Sequence, residues 1–132
     1  MTTRRMIVPP SMANIVDKYH YVPGVLVGDM LYVSGQVGRD ANLQVVADPE
    51  AQFEQAFRNV GLVLEAAGAS FADVIELETW FTRFPQDLPL FMQVKDRFIT
   101  RDFPTWTGFG VAALSIPGLL VEIRVTALVP AP

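Results

Sequence analysis

Alternating apolar and polar positions predict a series of β-strands along the chain. A hairpin is predicted at residues 21–27 and 30–35, because β-branched and aromatic residues flank the tight-turn pair Gly28-Asp29. Residues 75–81 show the two-residue period of a strand. Two further β-rich runs, 105–114 and 119–128, are separated by turn-forming residues at 115–118. An additional short strand is predicted around residues 43–47.

Two other segments carry apolar residues at helical spacing. The first begins after Asp48, has Pro49 in its first turn and ends at Gly68. The second covers residues 85–100, with Asp87 predicted as its N-cap. The apolar faces consist of Phe53, Phe57, Val60 and Leu64 in the first helix, and Leu88, Phe91, Val94 or Lys95, and Phe98 in the second.

The element order is therefore β-β-α-β-α-β-β. This order is typical of an α+β fold in which two helices cover one face of a mixed sheet. Apolar strand residues supply both faces of that sheet, and they are Tyr21, Val25, Leu31, Val33, Phe109 and Val111. The face without helices would expose an apolar patch, so this pattern predicts association with neighbouring chains.

The composition supports the same expectation. The 132 residues fit one domain, which we take to span residues 1–132, with residues 1–15 as an N-terminal extension. Hydrophobic residues make up 51% of the chain and charged residues 18%, against a usual charged share of ~25%. Since a small domain exposes much of its surface, the missing charges indicate that some of it faces other subunits.

Charge and residue types argue against several classes of function. Ten Lys and Arg against fourteen Asp and Glu give a net charge of −4, which disfavours binding to a nucleic-acid backbone. The absence of Cys excludes a disulfide framework, a thiolate metal site and a Cys nucleophile. The single histidine, His20, cannot build an all-histidine zinc site and is expected to be structural or on the surface. These counts do not exclude a metal bound by carboxylates.

No targeting or membrane segment is predicted. The apolar run that follows Arg4 and Arg5 stops at Pro9, which is too short for a signal peptide. The uncharged stretch 103–121 is long enough for a membrane helix, but its prolines and glycines would break one. We therefore expect a soluble, cytoplasmic protein without membrane contact.

Three blocks of the sequence resemble one known family. They are residues 21–36, which end in Ser34-Gly35-Gln36, the helix at 52–68, and Phe103-Pro104 together with residues 117–123. In this order and at this separation they resemble the Rid (YjgF-type) family of enamine/imine deaminases. Older names for that family include liver perchloric-acid-soluble protein and translation-inhibitor endoribonuclease. The resemblance covers residues 20–128, nearly the whole chain.

The resemblance implies both an assembly and an activity. It implies a chorismate-mutase-like fold that forms a homotrimer, with barrel-like inner sheets and three clefts between neighbouring subunits. It also implies that small, reactive enamines and imines are hydrolysed in those clefts to keto acids and ammonia, with no cofactor and no metal. The implied partners are a small-molecule ligand and two further copies of the chain.

The family's site residues match this sequence unevenly. Tyr21 and Ser34 match the family's Tyr and Ser, Gly35 lies beside the latter, and Glu122 matches the Glu that positions water. The family's Pro-x-Arg-Ser motif reads Pro-Thr-Trp-Thr at residues 104–107, so Trp stands where the substrate carboxylate would meet Arg. Because Trp offers one N–H and a large apolar face, this change favours a flatter, more apolar ligand than 2-aminoacrylate.

Each candidate also has a structural interpretation. Glu122 is either a general base or the partner of Arg124, two positions along the same strand face. Arg124 is either a displaced carboxylate-binding residue or part of a structural ion pair. Trp106 either lines the cleft or packs in the interior. Backbone amides near Thr107 and Gly108 are candidates for anchoring a ligand.

Three functions follow from these observations. The first is a cofactor-independent hydrolase of reactive imines and enamines. The second is a trimer that binds a small metabolite in the same clefts without turning it over. The third is the endoribonuclease activity of the older family names, which the acidic balance of the chain disfavours.

Overall fold

A computed structural model describes residues 3–132 of the chain, which form a seven-stranded sheet and three α-helices. The strands are β1 (Arg4–Ile7), β2 (Gly24–Val27), β3 (Met30–Val33), β4 (Gln36–Val37), β5 (Val74–Phe81), β6 (Thr105–Gly110) and β7 (Val121–Leu128). The helices are α1 (Ala13–Tyr19), α2 (Pro49–Ala66) and α3 (Leu88–Phe98). Among the described residues, no helix has the length and apolar character needed to cross a bilayer.

The sheet has the strand order β1-β2-β3-β7-β5-β6. β3 and β4 both pair with β7, β3 at residues 126–128 and β4 at residues 122–123. β5 and β6 are parallel and are joined through α3, as a parallel pair requires, whereas the other neighbouring strands are antiparallel. This topology places β7 at the centre of the sheet and β6 at one edge.

Helix α2 forms where the sequence predicts it. The Asp48 carboxylate accepts a hydrogen bond of 3.0 Å from the Ala51 backbone N–H, which satisfies one free donor of the first turn. Pro49 follows at a position where its missing N–H costs no helical bond. The apolar side of α2 packs on the sheet and on α3, with Phe53 and Phe57 fully buried.

Alternation along β7 separates a helix-facing side of the sheet from an open face. Val121, Ile123 and Val125 are buried on the helix-facing side, while Glu122 and Arg124 lie on the open face. Strand register fixes the other residues of the open face, which include Met6, Val25, Tyr32, Glu78, Trp80, Thr107, Phe109 and Thr126. Several of these are apolar and exposed, as the sequence pattern predicts for the face without helices.

The predicted α+β class is confirmed, and the predicted strands and helices occur in the predicted order. The sequence pattern misses β1, α1 and β4. β1 has four residues, of which Arg4 and Arg5 are charged, and β4 has two, so neither shows a readable period. The predicted N-terminal extension at 1–15 thus holds an edge strand and the start of a helix.

Three local expectations need correction. The short strand predicted at 43–47 is wrong, because only one bridge forms there, between Arg39 and Val45. The strand predicted at 105–114 ends at Gly110, because its neighbour β5 ends at Phe81 and offers no further partner. Asp87 precedes α3 as predicted, but its side chain does not cap the helix and instead accepts two hydrogen bonds from Arg83.

Candidate functional site

Glu122 lies near the middle of the open face. Its strand pairs on one side with β4, where Val37 stands opposite Glu122, and on the other with β5, where Trp80 stands opposite. Neighbours on both sides leave the carboxylate half-buried. The central strand therefore fixes the backbone of Glu122, and the carboxylate keeps partial access to solvent.

A cavity of about 300 Å³ opens at this carboxylate. We call it the Glu122 cavity, and it is lined by Tyr19, Tyr21, Gly35, Val37, Arg39, Ser115, Ile116 and Glu122. Three residues predicted from the sequence thus meet at one place, namely Tyr21, Gly35 and Glu122. The volume suits a small organic molecule.

Gly35 gives the Glu122 carboxylate its space. A Cβ atom at position 35 would overlap both the carboxylate carbon and one carboxylate oxygen of Glu122. Gly35 does not have a positive φ, so the close approach and not the backbone conformation explains the residue. The glycine expected beside the site thus has a definite steric role within one chain.

The surroundings of Glu122 disfavour its charged form. Burial raises the pKa of the Glu122 carboxyl above its ordinary value, and the positive charges of Arg124 and Arg39 oppose that effect. Within residues 3–132, Glu122 takes part in no ion pair. A carboxylate that is neither paired nor fully solvated is suited to exchanging protons with a bound molecule.

Sequence reasoning missed Arg39, the cationic residue of the Glu122 cavity. Its guanidinium donates a hydrogen bond of 3.3 Å to the Tyr21 hydroxyl and lies 5.7 Å from the centre of the Tyr19 ring. The sequence gives little indication that Arg39 belongs to the site, because this residue comes near Glu122 only through the two-residue pairing of β4 with β7. A pairing this short leaves no trace in the hydrophobic pattern.

Arg124 and Ser34 lie in a neighbouring groove. Arg124 pairs with Glu78 at 2.7 Å and lies over the Trp80 ring, so the alternative of an ion pair with its strand neighbour at position 122 is not found. The Ser34 hydroxyl donates a hydrogen bond of 2.7 Å to the Val22 carbonyl. The groove is lined by Val22, Val25, Tyr32, Val33, Ser34, Glu76, Glu78, Arg124, Val125 and Thr126. Arg124 and Ser34 thus each have a structural partner within the chain.

The remaining candidates lie on the edge strand β6. Trp106 is in register with the buried Leu77 and faces the helices, where its indole N–H donates a hydrogen bond of 3.0 Å to the Thr79 hydroxyl. Thr107 is exposed on the open face, and Gly108 is again on the helix-facing side. Because β5 separates β6 from β7, one chain does not bring these residues into the Glu122 cavity.

Two amide side chains of α2 hold the loops around the Glu122 cavity. Asn59 donates hydrogen bonds of 2.9 Å to the carbonyls of Val37 and Arg39. The fully buried Gln52 bonds to the carbonyls of residues 46 and 118 and accepts from the N–H of residue 120. Asn59 therefore fixes the backbone at Arg39, and Gln52 fixes the loop that contains Ser115.

The described residues offer little for a metal. Within residues 3–132, His, Cys, Asp and Glu side chains form no group of three or more that could hold an ion. The single histidine, His20, is exposed and ends α1 in the left-handed conformation. Acid and base chemistry at the Glu122 cavity is what the arrangement can supply.

Comparison with known proteins gives a consistent result. A family described as Endoribonuclease L-PSP matches residues 12–129. RutC family protein YjgH of Escherichia coli (strain K12) is 32% identical over 131 residues, which is 98% of each chain. A 2-iminobutanoate/2-iminopropanoate deaminase of Dermatophagoides farinae is 32% identical over 116 residues, 86% of this chain and 88% of the relative.

Solved structures show the same fold. The structure of YjgH superposes with a TM-score of 0.89 at 31% identity and covers 98% of both chains. RidA from an Antarctic Psychrobacter species superposes with a TM-score of 0.78 at 32% identity, over 83% of this chain and 88% of that one. The similarity spans the helices, the sheet and the segments that form the Glu122 cavity.

Proposed function

The chain belongs to the endoribonuclease L-PSP family, the YjgF or Rid family, and on that premise we propose that it is a hydrolytic deaminase of small enamines and imines. Relatives named as 2-iminobutanoate/2-iminopropanoate deaminases support this activity. The observation that carries the proposal is the half-buried Glu122 carboxylate, which has no ion-pair partner within residues 3–132 and faces a small cavity beside Arg39 and Tyr21.

In the proposed reaction Glu122 moves protons between water and nitrogen. The carboxylate accepts a proton from water while the water oxygen bonds to the imine carbon, and the C=N electron pair and a proton go to nitrogen. Glu122 then takes the hydroxyl proton of the resulting carbinolamine and passes it to the amino nitrogen. The C–N bond breaks as the C=O bond forms, and nitrogen leaves as ammonia. One water is consumed and no atom is oxidised or reduced, so the reaction needs no cofactor.

The raised pKa of Glu122 suits this role. A group that accepts and returns a proton within one turnover works best when its pKa lies near the operating pH. Burial shifts the pKa of the Glu122 carboxyl upward, in that direction. Tyr21 would donate its phenol hydrogen bond to the bound molecule.

We further propose that three copies assemble and that the working site lies in the clefts between neighbouring subunits. Exposed apolar residues of the open face support association, among them Tyr32 and Phe109. β6 is an edge strand, so we place the backbone of residues 106–108 of a neighbouring copy, with its exposed Thr107 side chain, beside the Glu122 cavity, while the Trp106 indole stays on the helix-facing side. The substrate-binding roles of Ser34, Gly35 and Arg124 belong to the same proposal.

Imino acids generated in solution by an amino-acid oxidase, with catalase to remove peroxide, test the activity. We expect the purified protein to raise the initial rate of ammonia release above that in buffer for at least one aliphatic or aromatic imino acid. Rates equal to buffer across the panel would contradict the proposal.

A trimer that binds a metabolite without turnover is the alternative, and the sequence resemblance favours it because it matches Trp106 with the family's carboxylate-binding Arg. Such a protein would show a ligand-dependent rise in melting temperature but no ammonia release. Endoribonuclease activity is disfavoured by the net charge of −4, and RNA cleavage that separates from the protein on a sizing column would dismiss it.

A further inference from the structure

The backbone of Arg39 is fixed by its neighbours. Its N–H donates a hydrogen bond of 2.9 Å to the Val37 carbonyl, and its own carbonyl accepts one of 2.9 Å from Asn59. A bridge to Val45 holds the residue from the other side. Gly38 before it allows this path, because a Cβ there would overlap Gln52. The arginine thus starts from a rigid position at the rim of the Glu122 cavity.

The guanidinium of Arg39 has hydrogen-bonding capacity to spare. Within residues 3–132 it takes part in no ion pair, unlike five other arginines, namely Arg58, Arg83, Arg97, Arg101 and Arg124. In that part of the chain, the Tyr21 hydroxyl is the one side-chain group with which it forms a hydrogen bond. Because this hydroxyl accepts from arginine, it keeps its own proton for a ligand. Two donors therefore converge on the cavity.

A small carboxylate matches this arrangement. The planar guanidinium binds a carboxylate through paired, charge-assisted hydrogen bonds. A doubly charged phosphate would meet the negative charge of Glu122 across the same cavity of about 300 Å³. If a monoanion binds with its carboxylate on the Arg39 guanidinium, the carbon next to that carboxylate would face Glu122. That carbon is the one bonded to nitrogen in a 2-imino acid.

We propose that Arg39, together with the Tyr21 hydroxyl, binds the carboxylate of a 2-imino acid in the Glu122 cavity. The proposal rests on the deaminase function above and names its substrate class. Arg39 would also supply, from a different segment of the chain, the cation that the sequence resemblance leads us to expect at position 106, where this chain has Trp. The protein would then bind substrates that carry a carboxylate even though position 106 is Trp.

Pyruvate, which cannot be deaminated, is the probe for this role. We expect it to raise the melting temperature of the wild-type protein and to bind measurably by calorimetry, whereas uncharged pyruvamide does neither. Arg39→Gln should weaken pyruvate binding roughly tenfold or more. Arg39→Lys keeps the positive charge but loses the planar pair of donors, so it should weaken pyruvate binding less than Arg39→Gln does. Arg58→Gln, on the exposed side of α2, is the matched control and should bind as wild type.

The results separate this proposal from the deaminase function. No pyruvate binding by the wild type, or equal binding by Arg39→Gln, overturns the carboxylate role, whether or not imines are turned over. Arginine-dependent binding without ammonia release would keep the carboxylate role and refute the deaminase. With turnover present, Arg39→Gln should raise KM for imino acids more than it lowers kcat, and an unchanged KM would refute the role of Arg39.

Discussion

At the scale of single residues, Gly35 and Glu122 depend on each other. Gly35→Ala would place a methyl group where the Glu122 carboxylate lies, and a flexible carboxylate moves aside more readily than the backbone. We expect ammonia release to fall roughly tenfold or more, while the free energy of unfolding changes by no more than about 1 kcal/mol. Gly61→Ala on α2 is the control and should keep full activity. Equal activity of the Gly35 variant would contradict the steric role.

The raised pKa of Glu122 predicts a pH-dependent stability. The unfolded chain releases this proton near the ordinary value of 4.5, and the folded chain releases it at a higher pH. Between the two values the folded state binds more protons, so the free energy of unfolding falls as pH rises. Glu122→Gln does not titrate, so its melting temperature relative to wild type should increase from about pH 4 to about pH 8. If the melting temperature of Glu122→Gln relative to wild type stayed constant or decreased over this pH range, the effect of burial on the pKa of Glu122 would be contradicted.

The sequence predicts some residues of the site and not others. Tyr21, Gly35 and Glu122 are carried by recognisable blocks, and all three line one cavity. Arg39 could not be predicted, because a two-residue strand pairing brings it there. The side chain direction of Trp106 depends on the register of a parallel strand pair, which neither local pattern nor composition determines.

At the scale of elements, α2 supports the cavity through Asn59. Asn59→Ala would leave the Arg39 carbonyl without its 2.9 Å partner and remove one of the two donors to the Val37 carbonyl, at a cost of ~1–3 kcal/mol in the free energy of unfolding. The loop with Arg39 would also lose a restraint, so pyruvate binding should weaken. Denaturant unfolding and calorimetry measure both effects. Gln55→Ala, which removes only the amide bonded to the Asn59 side chain, should cost much less.

Elements differ in how far the sequence predicts them. α2 is predicted well because Asp48, Pro49 and a long apolar face agree. β1 and α1 are missed because charged and small residues obscure their short periods. Residues 43–47 look like a strand, yet they pair with the rest of the chain only at a single bridge, between Val45 and Arg39. Local pattern therefore suffices where an element is long and amphipathic, and fails where neighbours decide the path.

At the scale of the whole molecule, the open face predicts assembly. Phe109 stacks on Trp80 there and is 42% exposed. Phe109→Glu should leave the fold of the chain intact but place a charge in the proposed interface, so sedimentation should show monomers and ammonia release should fall together. Leu62→Glu, on the exposed side of α2, is the control. A trimeric, active Phe109→Glu protein would contradict the proposed interface.

The most direct test of the central claim is the rate of ammonia release by Glu122→Gln with an imino acid that the wild-type protein hydrolyses. Gln preserves the shape of the side chain but cannot accept the proton of water. We predict a loss of kcat of roughly 10²–10⁴-fold, as for removal of a general base, with circular dichroism unchanged. Glu65→Gln, an exposed carboxylate on α2, should release ammonia at the wild-type rate. A kcat for Glu122→Gln equal to that of wild type would contradict the account.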